Sequence, residues 1–168
     1  MGIKVERLQA LLAKYDIDAF IYSFKESTHT VDEAAALVKC NITQIVKSLI
    51  IVLLDEAKNQ HPILALVPGD RKVRQTLIRK ILASNNHFKF TIKDSRLASP
   101  EEVLQYTGYQ VGGVPPLIEG LSVIIDEPIL NESTIYGGGG TAKSLLELQV
   151  EDLKKIYDPI IGSISKSI

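Results

Sequence analysis

One lysine stands where an otherwise apolar strand is predicted to begin. Lys47 follows Gln44-Ile45-Val46 and precedes Ser48 and the apolar run Leu49 to Leu54. In that position its ammonium group could be a fixed cation directed at a carbonyl oxygen or a phosphate. It could equally lay its stem along the apolar surface and keep the charge in water. The pattern leaves both interpretations open.

A second segment combines paired glycines with paired prolines, in Gly112-Gly113-Val114-Pro115-Pro116. Glycine allows the backbone to approach a ligand closely, and proline keeps the segment out of a helix. A loop of this kind can direct amide N–H groups at an oxyanion that develops during acyl transfer. A rigid turn before the next strand is the alternative interpretation.

The glycine-rich segment from Gly137 to Ser144 is close to a phosphate-binding loop. It departs from that motif at one position, where Ala142 replaces the second glycine. The motif also requires a helix after its lysine, whereas Leu-Leu-Glu-Leu-Gln after Ser144 favours a strand. A nucleotide-binding protein therefore remains only a minor alternative.

The other residue types that often carry chemistry are isolated. His29, His61 and His87 are scattered without metal-ligand spacing, although His29, just before Thr30, either lines a pocket or leaves a loop. Cys40 is the only cysteine, so an internal disulfide or a thiolate cluster cannot form. The sequence predicts no metal site and no cofactor, and it offers no obvious nucleophile.

A basic segment follows Pro68-Gly69-Asp70. Apolar residues at helical spacing predict a helix from Arg71 to Ala83. Five cations lie away from its apolar stripe and could contact RNA phosphates, unless they form an ordinary solvated face. These candidate tRNA-binding residues are Arg71, Lys72, Arg74, Arg79 and Lys80.

The remaining pattern predicts an α+β fold in a single domain over residues 1–168. Strands come mostly in hairpin order with helices inserted, which favours a mixed, largely antiparallel sheet flanked by helices. Predicted helices cover Lys4–Lys14, Thr30–Val38 and Arg71–Ala83, with others starting at Ser99 and Val150. Predicted strands cover Ile17–Tyr22, Ile45–Leu54, His61–Val67, His87–Ile92, Leu121–Ile125, Ile135–Tyr136 and Ser144–Leu148.

Composition excludes several classes of protein. The 168 residues are 45% hydrophobic and 23% charged with a formal net charge of −1, so nucleic-acid contact would need a local basic patch. The first twenty residues hold no uninterrupted apolar run of the kind a secretion signal needs. We therefore expect a cytoplasmic protein that does not interact with membranes.

Taken in order, these segments resemble the YbaK/ProX family of aminoacyl-tRNA deacylases, which includes the editing domain inserted in bacterial prolyl-tRNA synthetases. The resemblance runs from about Thr28 to Tyr157. It rests on the segments Thr30–Ala35, Ile45–Ile50 and Thr107–Pro116, the strand ending at Asp126, and Ile135-Tyr136 with the glycines that follow.

The resemblance implies a bent sheet with a pocket between sheet and helices. It assigns Lys47 to binding of the aminoacyl-adenosine end, and it matches Gly112 and Pro116 to a Gly-x-x-x-P loop that positions the scissile ester. It makes Lys47, Gly112 and Gly113 the catalytic candidates. The substrate-binding candidates are His29, Thr30, Val114, Pro115, Pro116, Tyr136, Gly137 and Gly138.

The function implied is that of a freestanding trans-editing hydrolase. It would remove a small amino acid of the Ala, Cys, Ser or Thr class from mischarged tRNA, with a ribose hydroxyl or the substrate's own side chain assisting the attack. The expected partners are aminoacyl-tRNA and, as a further candidate, an aminoacyl-tRNA synthetase. A noncatalytic module that binds tRNA or a synthetase is the alternative. The long run Gly137–Gly140 and Ile118-Glu119 depart from the family pattern, so the amino acid removed stays open.

Overall fold

The computed structural model describes residues 3–27 and 30–168, which form helices packed around one mixed sheet and two antiparallel ones. The α-helices are α1 Ile3–Lys14, α2 Val31–Val38, α3 Gln75–Ala83, α4 Pro100–Thr107 and α5 Leu153–Ile156. The strands are β1 Phe20–Ser23, β2 Val46–Leu54, β3 Gln60–Pro68, β4 Arg71–Val73, β5 Asp94–Leu97, β6 Ser122–Asp126, β7 Thr134–Gly138, β8 Ser144–Gln149, β9 Ile160–Gly162 and β10 Ser165–Ser167. Short 3-10 turns occupy Ile42–Gln44, Glu127–Asn131 and Val150–Asp152.

The largest sheet has five strands in the order β5-β2-β3-β6-β9. Strand β2 pairs antiparallel with β3 and β5, whereas β6 pairs parallel with both β3 and β9. A three-stranded antiparallel sheet, β1-β8-β7, and the antiparallel pair β4-β10 complete the described sheets. The predicted mixed, largely antiparallel α+β fold is confirmed.

The central hairpin β2-β3 is covered on both faces, which explains why its strands are nearly continuous apolar runs. Val46 and Ile50 face the larger core together with α1 and the three-stranded sheet. Ile51 and Leu53 face the opposite way, against α3. Lys47 therefore lies near the start of a strand whose middle, from Ile50 to Leu53, is buried.

Two predicted helix starts are confirmed by their caps. Thr30 Oγ1 accepts a hydrogen bond from the Glu33 amide at 3.1 Å, which fixes the start of α2. Ser99 and Glu102 form a reciprocal capping box at α4, which ends at Gly108 in the left-handed conformation (φ 77°).

The predicted helix from Arg71 to Ala83 is wrong in its first turn. Arg71, Lys72 and Val73 form strand β4, and α3 begins only at Gln75. The cause is nonlocal, because β4 pairs with β10, some ninety residues later, and the Arg74 amide donates to the Ile164 carbonyl at 2.8 Å. Helical periodicity within the segment cannot reveal that partner.

The predicted strand from His87 to Ile92 is also wrong, since β5 begins only at Asp94. The apolar alternation there has another cause. Phe88 and Phe90 pack on the core that covers α3, and the Phe90 ring stacks on His61 with centroids 3.7 Å apart. Partly buried phenylalanines at alternate positions therefore produced the alternation typical of a strand, although no strand pairing occurs there.

Candidate functional site

One cavity brings together segments that are far apart in the chain. Its volume is about 310 Å³, and it lies between the start of α2, the start of β2, the loop after α4 and the end of β7. Other cavities in the described part of the protein are larger, at about 340 to 610 Å³, so size alone does not select it. Its distinction is the set of residues that line it. They are Thr30, Val31, Ala34, Ile45, Val46, Lys47, Ser48, Leu49, Val111, Gly112, Val114, Gly137, Gly138 and Leu145.

Lys47 is held by the protein within this cavity. Its side chain is half-buried, and Nζ donates a hydrogen bond to the main-chain carbonyl of Arg71. Burial lowers the pKa of the Lys47 ammonium, the neighbouring Asp70 carboxylate acts to raise this pKa, and Lys72 acts to lower it. The ammonium is therefore a partly desolvated donor in a fixed place.

The loop from Gly112 to Pro116 supplies backbone groups to the same cavity. The Gly113 amide donates to the Gln110 carbonyl at 2.9 Å, and the Gly113 carbonyl accepts from the Gly140 amide at 2.9 Å. Within the described residues the Gly112 amide has no hydrogen-bond partner. Gly112 is exposed and has a φ of +93°, whereas Gly113 is buried behind it. Of the two glycines, Gly112 is the one whose N–H can bind a ligand.

The glycines of β7 allow the loop to pack directly on that strand. A Cβ atom at Gly138 would lie 2.3 Å from the Val114 carbonyl oxygen, and one at Gly137 would lie 2.8 Å from Pro116 Cδ. Neither contact is tolerable, so a side chain at either position would push the loop away. The glycine run that departs from the family pattern thus has a packing role here.

Two further polar atoms near Lys47 are buried without a hydrogen-bond partner among the described residues. They are Ser48 Oγ, whose residue lines the cavity, and Asp70 Oδ1, whose carboxylate acts on the Lys47 ammonium. Unpaired buried polar atoms are rare in folded proteins and are often satisfied by a ligand. Neither residue was predicted from the sequence. A polar side chain next to Lys47 and an acid after Pro68-Gly69 were the signals that could have pointed to them.

The predicted substrate-binding residues fall into three groups. Thr30, Val114, Gly137 and Gly138 line the cavity. Pro115, Pro116 and Tyr136 are buried and do not line the cavity, and the Tyr136 hydroxyl donates to Glu147 at 2.8 Å. His29 lies outside the described residues.

The five predicted tRNA-binding cations do not share one helix face. Arg71 is tied to β10 by hydrogen bonds to Ser165, and Arg79 binds Ser95 at 3.0 Å. The other three, Lys72, Arg74 and Lys80, are exposed. Arg71 and Arg79 therefore make structural hydrogen bonds. Of the exposed cations, Lys72 lies on β4, Arg74 is the N-cap of α3, and Lys80 lies on α3.

The glycine-rich segment does not form a phosphate-binding loop. It connects β7 to β8, and Ser144 opens a strand where the motif requires a helix. Ser144 Oγ accepts from the Thr141 amide at 3.0 Å, so the turn is closed on itself. This geometry removes the nucleotide-binding alternative.

Two negative findings apply to the described residues. No group of three or more His, Cys, Asp or Glu side chains within residues 3–27 and 30–168 could hold a metal ion. Over the same ranges, no helix is long and apolar enough to cross a bilayer.

Comparison with known proteins matches this chain to a protein family. Residues 25–156 match the model of the aminoacyl-tRNA editing domain. The chain is 28% identical over 137 residues to YwhH of Bacillus subtilis, an uncharacterized protein, with 80% of this chain and 79% of that protein covered. It is 30% identical over 123 residues to a proline–tRNA ligase of Solidesulfovibrio magneticus, where the match covers 73% of this chain but only 19% of the ligase.

A solved structure agrees over its whole length. A protein provisionally described as a trans-editing enzyme for prolyl-tRNA synthetase superposes with a TM-score of 0.81 at 26% identity, and the match covers 99% of each chain. The family resemblance inferred from the sequence is confirmed: this chain belongs to the family of aminoacyl-tRNA editing domains.

Proposed function

We propose that this protein hydrolyses, in trans, the ester bond between tRNA and a wrongly attached small amino acid. The observation that carries the proposal is one cavity that contains both the Lys47 ammonium and the free amide of Gly112. Family membership supports the reaction class. The end-to-end match to a protein described as a trans-editing enzyme supports action in trans.

The proposed mechanism relies on placement and charge. Water attacks the ester carbonyl, the bond from the carbonyl carbon to the ribose oxygen breaks, and the free amino acid and tRNA leave. Negative charge collects on the carbonyl oxygen, where a cation and an amide N–H stabilise it. We assign these roles to Lys47 and Gly112, with a hydroxyl of the terminal ribose assisting the water. Because the substrate's ribose assists the water and the protein stabilises the charge, the proposed reaction needs no nucleophile from the protein.

A small amino acid is proposed because the cavity is small. A volume near 310 Å³ lies at the low end of the usual range for ligand sites. The terminal ribose must share this space with the aminoacyl group. The buried hydroxyl of Ser48 gives the wall a polar spot, which suits a small or hydroxylated side chain better than a bulky apolar one.

The test is a deacylation panel with the purified protein. Separate tRNAs carrying Ala, Ser, Cys, Thr and Pro are incubated with it after EDTA treatment and without ATP. We expect one of the first four to be cleaved well above the spontaneous rate and prolyl-tRNA to be spared. Binding of tRNA without cleavage of any ester would instead support a noncatalytic module.

Lys47→Ala is expected to lower turnover of the preferred substrate at least tenfold, or about 1.4 kcal/mol of transition-state stabilisation. The reason is the loss of the cation that faces the ester. The matched control is Lys89→Ala, because Lys89 is an exposed lysine that does not line the cavity. Normal turnover of a Lys47→Ala protein with an unchanged melting curve would remove Lys47 from the mechanism.

A further inference from the structure

The acceptor that holds the Lys47 ammonium is a main-chain carbonyl on a very short strand. Arg71 provides it from β4, which has three residues. Among the described strands β4 pairs with β10 and no other. Pairing over three residues restrains the Arg71 carbonyl oxygen only weakly. Other contacts are therefore needed to keep Arg71 in place.

Those contacts converge on Asp126, at the end of β6. Its side chain is only 1% exposed. Oδ1 accepts from the Ile164 amide at 3.0 Å, and Oδ2 accepts from the Ser165 hydroxyl. The Arg71 Nε lies 3.9 Å from Oδ2, so the arginine supplies the positive charge that a buried carboxylate requires.

Ser165 links this carboxylate to Arg71 directly. Arg71 Nε donates to Ser165 Oγ at 2.7 Å, and its Nη2 donates to the Ser165 carbonyl at 3.2 Å. Hydrogen bonds thus lead from Asp126 through Ser165 to the Arg71 guanidinium, and the main-chain carbonyl of the same arginine holds Lys47. Buried, charge-assisted bonds of this type are short and directional, and they restrict the groups they join.

We propose that Asp126 is a positioning residue for Lys47, which it holds in place through Ser165 and Arg71. The proposal rests on the proposed function, in which the Lys47 ammonium meets the ester. Asp126 does not line the cavity and would touch no substrate. Its effect reaches the reaction only through the placement of the ammonium, where a displacement near 1 Å can cost roughly a hundredfold in rate.

The experiment compares Asp126→Asn with Glu127→Gln. Glu127 is the next residue, undergoes the same acid-to-amide change, and accepts from a serine of the same C-terminal segment, Ser163 Oγ at 3.0 Å. No hydrogen bond or ion pair joins it to Arg71 within the described residues. We expect Asp126→Asn to lower kcat at least fivefold with KM within twofold of the wild type, and Glu127→Gln to change both less than twofold.

A double-mutant cycle separates positioning from general structural damage. In a Lys47→Ala background, Asp126→Asn should lower turnover no further, because the ammonium it positions is gone. Melting curves are recorded for each variant. Should Asp126→Asn fold poorly, Ser165→Ala removes the linking hydroxyl alone. Its control is Ser163→Ala in the same C-terminal segment, because the Ser163 hydroxyl bonds Glu127 instead of Arg71.

A second readout keeps the inference independent of catalysis. Limiting acetic anhydride with mass spectrometry measures how fast the Lys47 amine is acetylated at fixed pH. We expect a faster rate in Asp126→Asn than in Glu127→Gln, since an ammonium with a loosened acceptor loses its proton more readily. Unchanged acetylation and full kcat in folded Asp126→Asn would overturn the inference. Changed acetylation in a protein without deacylase activity would uphold it while the proposed function fails.

Discussion

At the scale of single residues, the proposed reaction depends on one charged side chain in the cavity, that of Lys47. The Lys47 ammonium uses one of its three N–H donors on the Arg71 carbonyl, which leaves two for a ligand. Lys72 is exposed, and its charge acts on Lys47 to lower the pKa, whereas Asp70 acts in the opposite direction. The protonation state of Lys47 is therefore adjustable by its neighbours.

Lys72→Gln is expected to raise the pKa of Lys47, because it removes a like charge. The proposed mechanism needs the charged form, so activity should fall as pH rises through this pKa. In the variant that alkaline fall should occur at higher pH than in the wild type. The measurement is kcat/KM against pH on a short aminoacyl-adenosine mimic, corrected for spontaneous hydrolysis. A fall that moves to lower pH, or does not move, would contradict this account of Lys47.

Gly112→Ala tests the amide proposed to bind the carbonyl oxygen. Without ligand the added methyl has room, since its nearest neighbour would be the Ala142 Cβ at 4.0 Å. The positive φ nevertheless strains any alanine there, by about 1–2 kcal/mol. Gly120→Ala is a matched control, because Gly120 has a φ of +92° and no atom within 4 Å of an added Cβ.

Both alanine variants should melt at similarly lowered temperatures. Only Gly112→Ala should also lose single-turnover deacylation, by tenfold or more, because the methyl occupies the path of the ester. Equal activity in the two variants, normalised to folded protein, would show that the Gly112 loop is a turn without a role in binding.

The residues of the candidate site were partly predictable from the sequence. Lys47 and Gly112 could be found because an isolated cation before an apolar strand and a Gly-Pro loop are visible locally. The sequence could not show which of Gly112 and Gly113 has a free amide, because that depends on the hydrogen bond from the Gly113 amide to the Gln110 carbonyl. The strand ending at Asp126 is recognisable in the sequence, but its pairing with Ser165 is not, since 39 residues separate the two and nothing local points to Ser165.

At the scale of elements, the loop from Gly112 to Pro116 is fixed from outside as well as by β7. The Tyr157 hydroxyl, just after α5, donates to the Pro116 carbonyl at 2.9 Å and accepts from the Ile118 amide at 2.6 Å. Burial raises the pKa of this phenol, so it remains a donor at every pH of interest. At the end of α4, which precedes this loop, Arg7 of α1 donates to the Thr107 carbonyl at 2.7 Å.

Tyr157→Phe is expected to lower both stability and turnover. It leaves the Pro116 carbonyl and the Ile118 amide buried without their partner, which costs about 1–3 kcal/mol of stability. Tyr106→Phe is the control, since the Tyr106 hydroxyl binds Gln60 at an exposed site. Chemical denaturation and deacylation of the same preparations provide the two measurements. Turnover that falls no further than the folded fraction would limit Tyr157 to a structural role.

Elements with local signals were predicted, and those with distant partners were not. The caps at Thr30 and Ser99 mark their helices within four residues of sequence. Strand β9 exists because β6 runs parallel beside it, and β10 exists because it pairs with β4. Three-residue strands of this kind carry too little alternation to be predicted from the chain alone.

At the scale of the whole molecule, a net charge of −1 leaves tRNA binding to local cations. Lys72 and Arg74 are exposed and precede α3, close in sequence to the carbonyl that holds Lys47. Arg79 is committed to Ser95 and Asp94. The exposed pair is therefore the best candidate for phosphate contacts beside the cavity.

Lys72→Ala combined with Arg74→Ala should weaken tRNA binding and flatten its dependence on salt. Removal of one cation from a phosphate reduces the slope of log K against log salt by about 0.7–0.9, so we expect the slope to fall by up to roughly two for the pair. The control is Arg79→Ala, which should lower the melting temperature and leave the slope unchanged. Binding is measured by filter retention at several salt concentrations. An unaltered slope in the double variant would place the tRNA on another surface.

The pairing of β4 with β10 has a consequence for how the chain acquires activity. Strands β2 and β3 are joined by a short turn and can pair early, which places Lys47 in a hairpin that needs little of the chain. The loop bearing Gly112 follows much later, and Lys72 meets Lys166 only across more than ninety residues. Closing contacts of that span is slow and comes after local pairing. During synthesis, Lys47 and Arg71 therefore leave the ribosome long before Asp126 and Ser165, and the contacts that join Arg71 to Asp126 can form only once residues 165–167 have emerged and paired with β4.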